Sequence, residues 1–211
     1  MTQTLVSLIN YVQDRSDLPR SSIAIGASDQ NTRQLVALAN QVGRSLVGDY
    51  DWRAMITEVV GQVITTDTQS EFFPALFDRM IDGSMWNRTR LVPMYGPVTA
   101  QEWQSLTVRQ TNSIYPVWRH GPGLRDIRIL PLPAVGEEIA CECITRGWVY
   151  LSGTSTTTAA RFASAVDTCV FTDELMILGI RSLWLRNKGL DWQEAAREFE
   201  AEKRRCIAQD G

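Results

Sequence analysis

The chain has little of what enzymes and nucleotide-binding proteins commonly carry. Its 211 residues include one histidine, His120, and two lysines, Lys188 and Lys203. There is no G-x-x-x-x-G-K-[ST] loop for nucleotide phosphates and no G-x-S-x-G nucleophile elbow. The chain has no run of about 18 apolar residues, so no membrane span is predicted. These absences argue against a P-loop nucleotide hydrolase, an α/β-hydrolase and an integral membrane protein.

Four cysteines are present, at positions 141, 143, 169 and 206, and their spacing matches no paired C-x-x-C zinc pattern. Cys141 and Cys143 are two apart on a predicted strand and therefore share a face. Cysteines on one face are usually buried small hydrophobic residues in a reducing compartment. The sequence predicts no metal and no cofactor. The N-terminal stretch lacks the basic start and long apolar run of a secretory signal, so we expect synthesis in the cytoplasm.

The charges are evenly spread and weakly acidic. The formal net charge is −3, with 24 acidic and 21 basic residues. A protein that grips DNA usually concentrates its basic residues on one face, and no long stretch does so here. The basic residues other than Lys188 and Lys203 are all arginine. Arginine is suited to interfaces, although a compositional bias of the host accounts for this preference equally well.

Helical periodicity marks both ends of the chain. Leu5, Leu8, Ile9 and Val12 form one apolar face, and a second helix is predicted from a cap at Ser28 or Asp29 to about Val47, ended by Gly48. A third helix follows a cap at Thr172 or Asp173 and stops at Gly189, and a fourth follows Asp191.

The middle of the chain has strand character. Seven of the eight prolines lie between Pro74 and Pro133, which argues against long helices there. The stretches 58–65, 124–130, 139–144 and 147–151 read as strands, and Thr99 with Glu102 fits a capping box before a short helix. The predicted fold is α+β, with a helical domain (1–56 and 166–211) and an inserted, antiparallel β-sandwich-like domain (57–165).

The segment 77–103 is dense in aromatics, arginine and turn residues, and Trp, Tyr and Arg are the residues that dominate binding hot spots. Trp86, Arg88 and Arg90 are candidates for contact with a partner, and so are Thr156 and Thr157 in a Ser/Thr-rich loop. Arginines interleaved with aromatics could also stack on single-stranded nucleic acid, but the balanced charge favours a protein interface or core packing.

Two sets of residues are candidates for catalysis. His120 would have to be the general base of a serine or cysteine hydrolase, yet it sits among turn residues. Asp78 and Asp82 are four apart and would share one face if that segment were helical, where they could do acid–base work or pair with Arg79 and Arg88. The sequence favours a protein that is not an enzyme.

The last helix, 192–208, carries few apolar groups in register, among them Phe199 and Ile207, and many charges. Burying Phe199 contributes about 1.5–3 kcal/mol, against about 1–2 kcal/mol for ordering each residue's backbone. Its second half therefore either frays, stands as a solvated terminal helix, or is held by a partner. We expect deletion of residues 197–211 to leave the core folded and to abolish partner binding.

The order and spacing of short motifs over most of the chain carry a family resemblance. These motifs are Phe77-Asp78-Arg79-Met80, Trp86-Asn87-Arg88, Pro93-x-Tyr95-Gly96-Pro97-Val98, Arg128-x-Leu130-Pro131-x-Pro133, Trp148-Val149, Asp167-Thr168, Asp173-Glu174-Leu175 and Lys188-Gly189-Leu190-Asp191-Trp192. In this pattern the chain resembles the head–tail adaptor proteins of short-tailed bacteriophages, the tail tubular protein A type.

The resemblance implies a virion structural protein at the head–tail junction. It implies a homo-oligomeric ring of twelve copies that joins the portal protein to the tail nozzle protein. Double-stranded DNA would pass through the ring during ejection without sequence-specific binding, and no membrane would be involved. The C-terminal helix would face the portal, which makes Arg197, Phe199, Arg204, Arg205 and Ile207 the candidate portal contacts. The segment 86–90 and the Ser/Thr-rich loop would face the neighbouring copy or the nozzle. The alternatives are a small hydrolase or a carbohydrate-binding β-sandwich protein.

Overall fold

The computed structural model describes residues 3–109, 115–152 and 158–211. The fold is α+β, as predicted, and the chain divides into two compact units. The helical unit comprises residues 1–55 and 146–211, and the β unit comprises residues 56–145. The sequence predicted that the β-rich domain extends to residue 165. That prediction was wrong for residues 146–165, which belong to the helical unit.

Each helix and strand lies within one of the two units. The helical unit contains α1 (Leu5–Asp14), α2 (Gln30–Asp49), α4 (Asp173–Asn187), α5 (Gln193–Asp210), β9 (Val149–Tyr150), β10 (Thr158–Ala159) and β11 (Thr168–Cys169). The β unit contains β1 (Ile56–Gln62), β2 (Thr68–Gln69), β3 (Phe77–Met80), β4 (Trp86–Asn87), β5 (Val92–Pro93), α3 (Ala100–Arg109), β6 (Val117–His120), β7 (Ile127–Leu130) and β8 (Glu138–Thr145).

The N-terminal helices follow the predicted apolar periodicity. Every residue of the predicted α1 face is fully buried. Asp29 caps α2, because its carboxylate accepts hydrogen bonds from the Thr32 backbone N–H (2.8 Å) and hydroxyl (2.9 Å). These hydrogen bonds favour the ionised carboxylate and lower the pKa of Asp29. The prediction that Gly48 ends α2 was wrong, since the helix continues to Asp49.

The segment 146–169 belongs to the helical unit because its buried groups pack there. The Trp148 indole lies against α2 at Gly43, so closely that a Cβ added to Gly43 would come within 2.3 Å of the ring. Asp167 is buried, and its side chain accepts hydrogen bonds from the backbone N–H groups of Ser152, Ala163 and Ser164. Its backbone carbonyl accepts the Leu5 N–H at the start of α1. Strand character alone therefore does not locate the domain boundary, because these contacts with the helical unit determine where the segment belongs.

The β unit has two antiparallel sheets that share one core. In the larger sheet the order is β1-β8-β4-β5, and β3 also pairs with β8; the smaller sheet has the order β2-β7-β6. Both sheets contribute buried side chains to one cluster, including Trp118 and Ile129 from the smaller sheet and Ile139, Cys141 and Cys143 from the larger. The strands predicted from 58–65, 124–130 and 139–144 correspond to β1, β7 and β8.

Helix α3 begins with the predicted capping box. The Glu102 carboxylate accepts the Thr99 backbone N–H at 2.8 Å, and the Thr99 hydroxyl accepts the Glu102 N–H at 3.2 Å. Trp103 is the buried residue of this helix, and the guanidinium carbons of Arg119 and Arg128 lie 4.5 and 5.2 Å from its ring centroid. Part of the aromatic and arginine content of the β unit is thus structural.

Candidate interaction surface

A hairpin formed by β4 and β5 lies beside the long strand β8. Trp86 pairs with Ala140 of β8 on one side and with Pro93 of β5 on the other. Because side chains alternate along a strand, Trp86 points to the outer face, whereas Asn87 points inward and is fully buried. Arg88 follows in the turn and is exposed beside Trp86. The hairpin therefore places Trp86 and Arg88 together on the outer surface of the sheet.

Arg90 holds this hairpin to the sheet from inside the turn. Its Nε donates to Glu137 at 2.8 Å, and its backbone N–H donates to the Asn87 side-chain oxygen at 2.9 Å. The Asn87 amide donates to Glu137 at 2.6 Å. Burial raises the pKa of Glu137, but the hydrogen bonds from Arg90 and Asn87 outweigh it, so that the pKa is lowered. Of the predicted contact residues, Arg90 is thus engaged within its own chain.

The outer face around Trp86 forms an open groove of about 430 Å³. Trp86 is 45% exposed, and Leu91 at the tip of the turn is 80% exposed. The groove is lined by Glu58, Ser84, Trp86, Arg88, Leu91, Ala140, Cys141 and Glu142. We call this set the Trp86 groove. The sequence pattern did not single out Leu91, Glu58 or Glu142, because only the register of β1, β8 and β4 brings them together.

The charges of the Trp86 groove are unbalanced. Glu58 on β1 lies directly opposite Glu142 on β8. Arg88 forms an ion pair with Glu58, and a longer one with Glu138 at 3.7 Å. Within the described residues no cation pairs with the Glu142 carboxylate. Since Arg88 compensates Glu58 and no described cation compensates Glu142, this face carries one uncompensated negative charge.

Helix α5 carries the predicted portal contacts, and the structure divides them. Phe199 is partly buried, and its ring lies 2.9 Å from the point that a Cβ on Gly179 of α4 would occupy. Ile207 is also partly buried, and Arg205 pairs with Glu202 on the same helix. Arg197 and Arg204 are exposed, and neither has a carboxylate partner in the described parts of the chain. Being seven residues apart, they lie on the same side of the helix.

The second half of α5 is attached more firmly than its sequence indicates. Lys203 pairs with Asp49 at 3.1 Å, and Cys206 is buried. Asp210 accepts the backbone N–H of Arg53 at 2.8 Å. Burial lowers the pKa of Lys203, but hydrogen bonds to Glu200 and Asp49 outweigh it, and the pKa is raised. These contacts argue against the expectation that residues 197–211 can be removed without disturbing the fold, because the deletion strips these anchors and the Phe199 ring.

The candidate catalytic residues His120, Asp78 and Asp82 lie apart in packing contacts, an ion pair and a turn. His120 ends β6, with its ring centroid 5.4 Å from that of Trp118 and 6.1 Å from that of Phe73. Asp78 lies on β3 and pairs with Arg79 at 2.7 Å, while Asp82 lies in the following turn. Because this segment is a strand and a turn, the two carboxylates do not share a helical face.

The cysteines are free thiols in buried positions. Burial raises the pKa of Cys141 to about 12 and that of Cys143 to about 11, with the neighbouring Cys143 and Glu142 charges adding to the shift at Cys141. A thiol is nucleophilic only as the thiolate, so these groups are poor nucleophiles near neutral pH. Over residues 3–109, 115–152 and 158–211, no three His, Cys, Asp or Glu side chains cluster in a way that could hold a metal ion.

The remaining predicted contacts, Thr156 and Thr157, lie outside the described residues. None of the described helices combines the length and apolar character needed to cross a membrane. No protein-family model matches the chain, and no curated protein matches it. Two surfaces are therefore the candidates for function: the Trp86 groove, and the Arg197–Arg204 side of α5.

Proposed function

We propose that this protein is a structural head–tail adaptor of a short-tailed bacteriophage. Copies of the chain form a ring, of twelve by the resemblance, that joins the portal protein to the tail nozzle protein at the head–tail junction of the virion. DNA passes through the ring and is not read by sequence. The chain has no enzymatic role in this proposal and uses no cofactor.

The observation that carries the proposal is the presence of two unlike surfaces on two separate units. A closed ring uses head-to-tail contacts, so each copy needs two different, complementary faces. The β unit offers the Trp86 groove, which is aromatic and negatively charged. The helical unit offers exposed arginines without a carboxylate partner among the described residues. Arg44, Arg146 and Arg161 are available to a neighbouring copy, and Arg197 and Arg204 to the portal. Trp and Arg are among the residues that contribute most to binding.

The family resemblance supplies the direction of each surface. The Arg197–Arg204 side of α5 faces the portal, while the Trp86 groove and the Ser/Thr-rich loop face a neighbouring copy or the nozzle. Phe199 and Ile207 act in this arrangement by seating α5 on its own unit and so positioning the arginines. The arginine-rich, lysine-poor composition fits such contacts, because the planar guanidinium binds carboxylates in two-point geometry.

The test is binding of the double variant Arg197→Glu, Arg204→Glu to the cognate portal protein, measured by co-sedimentation. We expect the variant to keep the wild-type melting temperature, since both side chains are exposed, and to lose portal binding. Arg205→Glu is the control for a general charge effect on the helix, because Arg205 is already paired with Glu202. Portal binding by the double variant at wild-type strength would contradict the portal assignment.

A carbohydrate-binding role is the second candidate, and the half-exposed Trp86 ring beside carboxylates favours it. Aromatic rings with flanking polar groups can stack on sugar rings and bind their hydroxyls. A glycan array with the purified protein separates the two functions: binding that disappears in Trp86→Ala supports the carbohydrate role, and an array without binding removes it.

A further inference from the structure

We propose that the Trp86 groove is the seat of the neighbouring copy in the ring, and that the neighbour enters it with an arginine of its helical unit. This inference rests on the proposed ring. It commits the groove to contact between copies and not to contact with the nozzle. Three features of the described residues support it: the backbone at Leu91, the charges of the groove, and the distribution of ion pairs between the two units.

Leu91 combines an unfavourable backbone conformation with a side chain that is not buried within its own chain. Its φ is 58°, a left-handed conformation that a branched side chain rarely adopts and that glycine or asparagine tolerates better. Its side chain is nevertheless 80% exposed, so burial within the chain does not compensate for the strain. A large apolar side chain held outward at the rim of a groove is explained if it is buried on association, where apolar burial is the main driving force.

The groove beside Leu91 is suited to a guanidinium group. The half-exposed Trp86 ring offers a π-face, and a cation over such a face is attracted to it. The Glu142 carboxylate, without a cation partner in the described chain, supplies the negative charge. Arginine combines stacking on an aromatic ring with hydrogen bonds to a carboxylate, which lysine does less well.

The two units differ in charge in the sense that this contact requires. Residues 56–145 contain 10 acidic and 7 basic residues, whereas residues 1–55 and 146–211 contain 14 of each (24 − 10 and 21 − 7). In the β unit most arginines form ion pairs within the chain. In the helical unit several exposed arginines have no carboxylate partner among the described residues, including Arg44, Arg146 and Arg161. The net negative charge thus lies on the unit with the groove, and most of the exposed arginines that have no carboxylate partner among the described residues lie on the other unit.

The first experiment separates folding from association with the variant Leu91→Asn. Asparagine relieves the left-handed strain without adding the chain entropy of glycine. We expect the melting temperature to stay the same or rise by about 2–4 °C, and self-association, measured by sedimentation velocity over a concentration series, to weaken at least tenfold. The matched control is Glu71→Asn, at an exposed position of the β unit with φ 53°, which should leave association unchanged. Association of Leu91→Asn at wild-type strength would overturn the proposal.

The second experiment tests the arginine and its source. Glu142→Arg should abolish association while leaving the melting temperature within a few degrees of wild type. A photo-crosslinking residue, p-benzoylphenylalanine, placed at position 91 should crosslink to peptides of a second copy from residues 1–55 or 146–211. Crosslinks confined to the β unit, or normal association of Glu142→Arg, would overturn the proposed contact while leaving the ring intact. A wild-type protein that stays monomeric at every concentration and with portal would overturn the ring and this contact together.

Discussion

The change Phe199→Ala tests whether α5 is an integral part of the helical unit. The Phe199 ring lies against Gly179 of α4 and close to Val42 of α2, in a position where even a methyl group at Gly179 would collide with it. Truncating a fully buried phenylalanine costs about 3–5 kcal/mol. Because Phe199 is only partly buried, we expect a loss of about 2 kcal/mol. For a protein of this size that corresponds to a drop of about 4–8 °C in melting temperature.

Differential scanning calorimetry of the purified variant measures this loss directly. The matched control is Arg197→Ala, two residues away on the exposed side of the same helix, which should change the melting temperature by no more than about 1–2 °C. A Phe199→Ala protein that melts within about 1 °C of wild type would refute the reasoning. It would mean that α5 contributes little to the unit and that its attachment depends on a partner.

Three further predictions concern packing, thiol reactivity and pH. Gly43→Ala should destabilise the helical unit by about 1–3 kcal/mol in urea unfolding, because a Cβ at that position would lie 2.3 Å from the Trp148 ring, whereas Gly48→Ala on the open side of α2 should not. In a thiol titration at pH 8, Cys141 and Cys143 should stay unreactive while the protein is folded, since burial raises their pKa values to about 12 and 11, and should react once it is unfolded; fast reaction in the native state would contradict their burial. Glu137 has a lowered pKa, so the stability it contributes is present above its ordinary pKa of 4.5 and is lost as the pH falls through its folded-state pKa. Glu137→Gln should therefore reduce the dependence of the unfolding free energy on acid pH. An unchanged pH profile would contradict the hydrogen bonds that Glu137 accepts from Arg90 and Asn87.

Local signals in the sequence predicted the elements well where one physical cause dominates. The α1 stripe and the Asp29 cap depend on residues only a few positions apart, and both are present in the structure. The reciprocal hydrogen bonds of Thr99 and Glu102 are equally local. The strands β1, β7 and β8 were visible because β-branched and alternating apolar residues mark them.

Features that depend on distant contacts were not predictable in this way. The segment 146–165 has strand character, but Trp148 and the buried Asp167 fix it to the helical unit through partners more than 100 residues away, including Gly43 and Leu5. The attachment of α5 was underestimated for the same reason, because Lys203 and Asp210 find their partners at Asp49 and Arg53. Polar side chains on a terminal helix do not reveal such partners.

The candidate surface was predicted in part. Trp86 and Arg88 were identified from composition, and the structure places both on the outer face of the sheet. Arg90, from the same short segment, is exposed but donates hydrogen bonds to Glu137 and to the Asn87 side chain, so it is engaged within its own chain. Glu58 and Glu142 are 84 positions apart, and only the register of β1 on β8 brings them opposite each other. Position 91 carried no signal in the sequence, because a left-handed backbone at a leucine follows from the turn geometry.

Electron microscopy of the purified protein, alone and mixed with its cognate portal protein, tests the central claim most directly. We expect closed rings with a central opening wide enough for double-stranded DNA, stacked coaxially on the portal when both are present. Leu91→Asn should reduce the number of closed rings, and the double variant Arg197→Glu, Arg204→Glu should leave free rings that do not stack on portals. Dispersed single molecules in every wild-type preparation, with bare portals beside them, would contradict the adaptor function.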